Sequence, residues 1–310
     1  MAKKLLIYNS GGGIGDSIQL FPLILSLENL FEKSEIYYLG AHENHYLGRL
    51  KEYNIKVKTL NLGLKYFGFR WWHLFVAKKN FYKLKLDKFD LIIDCQSKFR
   101  NTVILKQIPS KTFYSSTFNN MFCSRLEKPP EEFWHDLKKV NYNIKNIPRK
   151  YFDESVRLLP NQNYIGFSLT QGNVYRKKSW PIKNFINLAK KIIEIKKIPV
   201  FFVEKTNLDI INQIKSEIPE SLFPELDSKL SGPPLVTALS TRLEKAVSID
   251  NGVMHMISLA NIPMVILFGP TDSEKFAPNY KKVIILDSKK LYNSDDISQI
   301  KIEDVQKHLI

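Results

Sequence analysis

A strand, a tight turn and a helix follow one another near the end of this sequence, and they constrain the fold most. Residues Ala246 to Ile249 are mostly apolar and read as a short buried strand. The strand ends at Asp250-Asn251-Gly252, and apolar residues at helical spacing follow from Val253. A second strand, Pro263 to Phe268, comes almost at once and ends in a glycine turn. Two such strand ends side by side are typical of the ligand-binding edge of an open α/β sheet.

The turn itself has two interpretations. A helix that starts at Gly252 offers unpaired backbone N–H groups and a partial positive charge, which suits a phosphate. Alternatively, Asp250 or Asn251 only caps the helix and Gly252 eases the turn. The local sequence leaves both open, because strand–turn–helix units serve many functions.

Strands and helices alternate in both halves of the chain. In the first half, the strand Lys4 to Asn9 precedes a helix predicted from about Ser17 to Phe31, with a bend near Pro22. In the second half, the strand Tyr164 to Leu169 precedes a helix that starts at Trp180-Pro181. Two successive halves of this kind predict an α/β protein with two Rossmann-like, doubly wound domains facing each other.

The best boundary between the halves is the proline-bearing stretch from Ile147 to Pro160. We therefore predict a first domain over residues 1–155 and a second over residues 156–310. A loop is expected over Glu127 to Glu132, and a helix is expected to begin at His135.

The first strand runs into the glycine-rich stretch from Ser10 to Asp16. This resembles a nucleotide-binding turn, but it departs from the dinucleotide fingerprint, because the position of the third glycine is held by Asp16. A carboxylate there would repel a pyrophosphate. We therefore do not expect NAD or FAD.

The chain carries a formal net charge of +15, from 46 basic and 31 acidic residues. That balance favours anionic partners such as nucleotides, phospholipid headgroups, phosphorylated glycans or nucleic acid. The alternative is a lysine-rich composition that only serves solubility. Cys95 and Cys123 form no disulfide framework, so we expect a reduced cytosolic protein. The sequence contains no apolar run long enough to span a membrane, and its first apolar run is too short for a signal peptide.

Aromatic and basic residues are mixed in the stretch from Tyr66 to Lys88. Such mixing suits an anionic membrane surface, where aromatic rings enter the headgroup layer and lysines meet the lipid. It would also suit single-stranded nucleic acid. The plainer interpretation is an amphipathic helix with a solvated basic face.

Three blocks, spread over nearly the whole chain, share the pattern of one enzyme family. They are Gly15-Asp16 with Pro22, Lys178-Ser179-Trp180-Pro181, and Asp250-Asn251-Gly252-Val253-Met254-His255 with Pro263 and Phe268-Gly269-Pro270-Thr271. In these blocks the chain resembles glycosyltransferase family 9, the lipopolysaccharide heptosyltransferases. His135 is a lesser match.

The resemblance implies a GT-B type fold, in which two Rossmann-like domains face each other across a cleft that holds the active site. It implies an acceptor-side first domain and a nucleotide-sugar-binding second domain. The implied reaction moves a sugar, commonly heptose from ADP-heptose, to a lipid-linked lipopolysaccharide-core saccharide at the cytoplasmic membrane face. No cofactor beyond the sugar nucleotide is implied, and the sequence requires no metal, because a lysine and helix N–H groups can stabilise a diphosphate.

The family's base maps onto Asp16, whose alternative is a helix cap. Lys178 matches the family's phosphate lysine, and its alternative is one more solvated lysine. His255 either donates to a phosphate or packs against the neighbouring strand. The predicted donor-binding residues are Thr170, Lys178, Asp250, Asn251, Gly252, Val253, His255 and Thr271.

The chain departs from the pattern at Asn251, where many relatives have threonine. The residue that holds the ribose is open between Glu204 and Asp209. A transferase of the same fold with a UDP- or GDP-sugar donor is the first alternative function. The second is a non-catalytic basic protein that binds membrane or nucleic acid. Under the leading interpretation no nucleic-acid partner is expected, and contact with an anionic membrane surface is expected through Tyr66 to Lys88.

Overall fold

The structure is a computed structural model. It describes residues 3–40, 44–64, 67–68, 70–96, 98–117, 121–123, 140–161, 163–172 and 177–309. The chain divides into two compact units, Met1–Asn143 and Ile144–Ile310. The boundary predicted between residues 155 and 156 falls inside the helix Arg149–Leu158, which packs on the helix Pro233–Ser240 of the second unit. That packing places the helix with the second unit, whereas the prolines mark only its two ends.

The first unit is built on a five-stranded sheet. Its strands are β1 (Lys4–Asn9), β2 (Glu35–Gly40), β3 (Lys58–Thr59), β4 (Phe89–Asp94) and β5 (Ser110–Ser115). All neighbours pair in parallel, in the order β3-β2-β1-β4-β5. Leu6, Ile7 and Tyr8 of the central strand are fully buried. A continuous apolar run is what a parallel strand covered on both faces requires.

Helices connect these strands. They are α1 (Ile14–Ile18), α2 (Phe21–Leu30), α3 (His73–Lys83) and α4 (Phe99–Leu105). The single helix predicted from Ser17 to Phe31 is thus two helices, separated by Gln19 and Leu20. Pro22 lies in the first turn of α2, where a proline needs no N–H partner. The break between the two helices therefore lies just before the proline near which a bend is predicted.

Two predictions fall at the end of the first unit. The loop expected over Glu127 to Glu132, and the start of the helix expected at His135, lie outside the described residues. Residues 140–143, the next ones described, are irregular, and a 3₁₀ turn, Ile144–Asn146, follows them.

The second unit holds another parallel five-stranded sheet. Its strands are β6 (Tyr164–Ser168), β7 (Ile198–Phe202), β8 (Leu243–Ile249), β9 (Met264–Phe268) and β10 (Val283–Asp287). Its helices are α5 (Arg149–Leu158), α6 (Ile182–Glu194), α7 (Leu208–Glu217), α8 (Pro224–Asp227), α9 (Pro233–Ser240), α10 (Gly252–Ser258), α11 (Ser273–Phe276), α12 (Ser288–Tyr292) and α13 (Ile302–Gln306). The strand order is β10-β9-β8-β6-β7.

Two contacts hold the last segment of the chain against the rest of the second unit. Trp180 is 2% exposed, and its indole N–H donates to the backbone carbonyl of Ile300 at 2.8 Å. Gly269 lies so close to the segment after α12 that an added Cβ would meet Cβ of Ile297 at 2.8 Å. These contacts join the loop before α6 and the end of β9 to the closing segment of the chain.

Each sheet has one point at which the direction of strand addition reverses. The reversal lies between β1 and β4 in the first sheet and between β6 and β8 in the second. Ligands of open α/β sheets bind outside the carboxyl ends of the strands at such points. These two edges are therefore where a site is expected in each unit.

Candidate active site

An asparagine ties the two strand ends together at the reversal point of the first sheet. Asn9, the last residue of β1, accepts a hydrogen bond from Gln96 Nε2 at 2.7 Å, just after β4. The same Asn9 oxygen accepts from the backbone N–H of Gly11 at 3.0 Å. These bonds fix the start of the glycine-rich turn relative to both strands.

Asp16 lies in the first turn of α1 and is half-buried. Its carboxylate accepts from the backbone N–H of Gly13 at 3.0 Å, which is the geometry of a helix-capping carboxylate. A Cβ on Gly11 would lie 2.6 Å from Asp16 Cβ and Cγ, so the turn needs glycine at that position. The N-cap of α1 is Gly13 rather than Asp16, so the alternative prediction of Asp16 as the N-cap is wrong. Asp16 lies at the third helical position and supports the cap through one carboxylate oxygen.

His45 lies beside the same turn and was not singled out from the sequence. Its Nε2–H donates to the carbonyl of Gly12 at 3.1 Å. Its Nδ1 is buried and has no hydrogen-bond partner among the residues the structure describes. A lone histidine outside any recognisable motif carries no sequence signal that could have identified it.

A buried carboxylic acid closes this edge of the first sheet. Asp94 is 1% exposed and accepts from the hydroxyls of Thr102 at 2.6 Å and Ser115 at 2.8 Å. It also accepts from the backbone N–H of Gln96 at 3.0 Å. Burial raises the pKa of Asp94 to about 6, although these hydrogen bonds oppose the rise. The loop that carries Gln96 is therefore anchored to a group that titrates near neutral pH.

In the second unit, Asn251 bridges the strand ends at the reversal point. Its Nδ2 donates to Ser168 Oγ at 2.8 Å and to the carbonyl of Thr170 at 2.9 Å. Its Oδ1 accepts from the backbone N–H of Met254 at 2.8 Å, so Asn251 is the N-cap of α10. Of the two candidate caps, the structure selects Asn251 over Asp250. The amide both caps the helix and joins β6 to β8, which a threonine hydroxyl could do only in part.

Asp250 instead forms a largely buried cluster with Lys178 and Thr271. Lys178 Nζ donates to Asp250 Oδ2 in an ion pair, with side-chain exposures of 14% and 7%. The Thr271 hydroxyl donates to the same oxygen at 2.7 Å. The backbone N–H of Lys178 donates to Gln171 Oε1 at 2.7 Å, a contact that the sequence did not indicate. The three predicted donor residues thus meet, although they come from three separate segments.

Three further predicted donor residues, Gly252, Val253 and His255, belong to α10. Gly252 and Val253 are the first two residues of α10 and are half-buried. Their N–H groups belong to the set that a helix leaves without an intrahelical partner. His255 is largely buried, with 6% of its surface exposed.

Two candidates for the ribose contact follow β7. Glu204 and Asp209 are both exposed. Glu225, which the sequence did not indicate, lies near Glu204, and burial raises the pKa of Glu225 to about 7 with a smaller contribution from the Glu204 charge.

Metal-binding clusters and membrane-spanning helices are both absent from the described residues. No group of three or more His, Cys, Asp or Glu side chains in those ranges is arranged to hold a metal ion. In the same part of the chain, no helix is both long and apolar enough to cross a membrane.

Comparison with known families identifies the class of protein. Residues 126–306, more than half of the chain, match the model of glycosyltransferase family 9 (heptosyltransferase). The chain belongs to this family and is a glycosyltransferase. No curated protein sequence matches it.

Solved structures show the same fold over nearly the entire chain. A family 9 glycosyltransferase from Veillonella parvula has a TM-score of 0.68 at 17% identity and covers 99% of this chain and 96% of its own. E. coli heptosyltransferase WaaC with ADP-2-deoxy-2-fluoro heptose has a TM-score of 0.65 at 13% identity, covering 99% and 98%. E. coli ADP-heptose lipopolysaccharide heptosyltransferase II has a TM-score of 0.63 at 16% identity, covering 99% and 97%. The predicted GT-B type α/β fold with two Rossmann-like sheets is confirmed.

Proposed function

We propose that this glycosyltransferase moves a heptose from ADP-heptose to a lipid-linked saccharide of the lipopolysaccharide core, with inversion at the anomeric carbon. Family membership and the likeness to heptosyltransferase structures support this proposal. The observation that carries it is the cluster of Lys178, Asp250 and Thr271 at the carboxyl edge of the second sheet. The proposed reaction takes place at the cytoplasmic face of the inner membrane.

The second unit, Ile144–Ile310, binds the donor in this proposal. Lys178 contacts the diphosphate, because an ammonium group has three N–H donors and Asp250 occupies only one of them. Asp250 holds the ammonium in place, and the N–H groups of Gly252 and Val253 add further donors. The other proposed donor contacts are Thr170, Asn251, His255 and Thr271. The ribose contact is Glu204 or Asp209.

Asp16 is the proposed base of the first, acceptor-side unit. An acceptor hydroxyl attacks the anomeric carbon of the donor sugar from the face opposite the diphosphate, and the Asp16 carboxylate takes the hydroxyl proton. The bond between the anomeric carbon and the phosphate oxygen breaks as the new glycosidic bond forms, and ADP leaves. Lys178 and the helix N–H groups stabilise the negative charge that develops on the departing diphosphate. This chemistry needs no metal.

Asp16→Asn tests the base. Because an amide oxygen still accepts the hydrogen bond from the Gly13 N–H, the cap survives while the base is lost. We expect turnover to fall by about 10²- to 10⁴-fold with donor affinity within twofold of the parent, measured by isothermal titration. Asp87→Asn is the matched control. It changes an exposed carboxylate at the opposite edge of the same sheet, where Lys4 pairs with it. Turnover in Asp16→Asn equal to that of the control would remove Asp16 from the mechanism.

Thermal-shift binding with ADP, UDP and GDP tests the donor. We expect a shift with ADP that Lys178→Met reduces. A shift with UDP or GDP alone would replace ADP-heptose by a UDP- or GDP-sugar within the same fold. Because the chain is a glycosyltransferase, the interpretation as a non-catalytic basic protein is not carried further.

A further inference from the structure

Helix α3 buries one face and exposes aromatic rings on the other. His73, Ala77 and Phe81 follow one another at four-residue spacing, and they are 4%, 0% and 0% exposed. Trp72 and Phe75 point the other way and are 59% and 79% exposed. Four-residue steps define one side of a helix, so the exposed rings share the opposite side.

Trp71, just before α3, and Tyr82, in its last turn, are 55% and 59% exposed, and helical spacing puts them on the same side as Trp72 and Phe75. Phe75 has the largest exposed fraction among the exposed large hydrophobic side chains in the described ranges. Several large aromatic side chains exposed on one side often mark a binding surface. We call Trp71, Trp72, Phe75, Lys78, Lys79 and Tyr82 the outward face of α3.

The charge of this segment indicates an anionic occupant. From Arg70 to Leu86 the sequence contains five basic residues and no acidic one. The Arg70 guanidinium lies 5.5 Å from the centre of the Trp72 ring, so cations and rings are interleaved rather than separated. Lys78 and Lys79 are exposed between the rings.

A cavity opens next to the outward face of α3. It has a volume of about 370 Å³, and its lining residues include Lys78, Tyr82, Lys106 and Ser110. Lys106 Nζ donates to the carbonyl of Phe122 at 3.1 Å, which uses one of its three N–H donors. A lining with two lysines and two hydroxyl-bearing residues suits a phosphate group.

The direction of α3 shows which end of its outward face lies toward the carboxyl edge of the sheet, where Asp16 lies. The connection from β3 to β4 is a parallel crossover, so α3 runs from the carboxyl edge back to the amino edge. Trp71 and Trp72 therefore lie toward the carboxyl edge, and the cavity lies toward the amino edge.

We propose that the outward face of α3 docks on an anionic lipid bilayer, with its rings in the headgroup layer and Lys78 and Lys106 on a lipid phosphate. Single-stranded nucleic acid, the other anionic polymer that binds aromatic rings, is usually held in a basic groove. Here the rings stand on the outside of a helix, which fits a planar bilayer better. The proposal holds whichever sugar nucleotide is the donor and does not depend on Asp16 or Lys178.

Vesicle flotation with the full chain tests the proposal. We expect binding to vesicles of phosphatidylglycerol and phosphatidylcholine and at least tenfold weaker binding to pure phosphatidylcholine. Lys78→Ala/Lys79→Ala should weaken binding to the anionic vesicles about 30-fold, since each lysine near such a surface contributes about 1 kcal/mol. Lys215→Ala/Lys229→Ala, which removes the same charge from exposed positions of the second unit, should leave binding within twofold.

Aromatic and cavity variants complete the test. Trp72→Ala/Phe75→Ala should weaken binding at both low and high salt, whereas the lysine contribution should fade at high salt. The control for this aromatic variant is Leu208→Ala/Leu291→Ala, at exposed apolar positions of the second unit. Lys106→Ala should weaken binding about fivefold. Circular dichroism checks that each variant is folded.

Three outcomes would overturn the proposal. One is equal binding of the parent and the face variants to anionic vesicles. Another is no vesicle binding together with face-dependent retention of a dT20 oligonucleotide. The last is unchanged vesicle binding by Lys106→Ala, which would show that the cavity next to α3 does not hold a lipid phosphate. Donor affinity should be the same in Trp72→Ala/Phe75→Ala as in the parent, so a failure here is distinct from a failure of the donor assignment.

Discussion

The pair of Lys178 and Asp250 should behave as a buried ion pair in stability measurements. Lys178→Met keeps most of the aliphatic stem but leaves the Asp250 carboxylate, 7% exposed, with the Thr271 hydroxyl as a remaining donor. Removing one partner of a buried pair costs about 3–5 kcal/mol, because an uncompensated charge stays behind. We expect a loss near the low end, about 3 kcal/mol, because the Thr271 hydrogen bond remains.

The double variant carries the decisive comparison. Lys178→Met/Asp250→Asn removes both charges, so the desolvation cost disappears with the attraction. We expect the double variant to be more stable than Lys178→Met, with a coupling energy of at least about 2 kcal/mol. Hydrogen exchange of the amides in β6 and β8 measures the unfolding free energy of this unit.

An exposed pair in the same unit is the control. Lys190 and Glu217 pair at 2.9 Å with side-chain exposures of 46% and 41%. Lys190→Met should cost only about 0–1 kcal/mol. If Lys178→Met costs no more than this control and its effect adds to that of Asp250→Asn, solvent screens the pair and the reasoning from burial is refuted.

Three further variants test other parts of the structure. Gly269→Ala should destabilise the second unit by about 1–3 kcal/mol, because the new methyl would meet Ile297 Cβ at 2.8 Å; Gly172→Ala, with nothing within 4 Å, is its control, and equal melting temperatures would contradict the packing. Asp94 has a folded pKa of about 6 against an ordinary 3.8. Its contribution to the unfolding free energy should therefore fall by about 3 kcal/mol as pH rises between these two values and stay level above them. Asp94→Asn should lack this fall when the unfolding free energy is measured by urea titration at several pH values. Parallel curves of unfolding free energy against pH for parent and variant would refute this contribution of Asp94. Trp180→Phe should cost about 1–3 kcal/mol by leaving a buried carbonyl unpaired, and an unchanged urea midpoint would show that water replaces the indole.

Local sequence patterns predicted the strands and helix breaks that depend only on neighbouring residues. The apolar run from Lys4 to Asn9 and the run before Gly269 both form strands within a residue of their predicted bounds. Pro22 marked the break between α1 and α2, because a missing N–H and a fixed φ act locally. The strand predicted from Ala246 to Ile249 begins three residues earlier, at Leu243. Leu243 pairs with Tyr164 of β6, and the local sequence does not report this pairing.

Side-chain partners at the site were beyond local patterns. Asp250 and Lys178 are 72 positions apart, and no spacing rule joins a loop lysine to a turn carboxylate at that distance. The choice of Asn251 over Asp250 as the cap depends on this pairing, since the ion pair occupies Asp250. Likewise, the local sequence indicates only that Asp94 ends an apolar run. Its burial among hydroxyls appears only when β4, α4 and β5 are brought together.

The central position of β1 has a consequence for how the protein is made. Lys4 and Asp90, which meet where β1 lies beside β4, are 86 positions apart. A ribosome that adds about 5–20 residues per second takes roughly 4–17 seconds to cover that interval. Until then one edge of a strand with a buried apolar middle is open, whereas elementary pairing events take only microseconds. The nascent chain therefore has a waiting period set by translation speed, and slower synthesis should increase its dependence on chaperones.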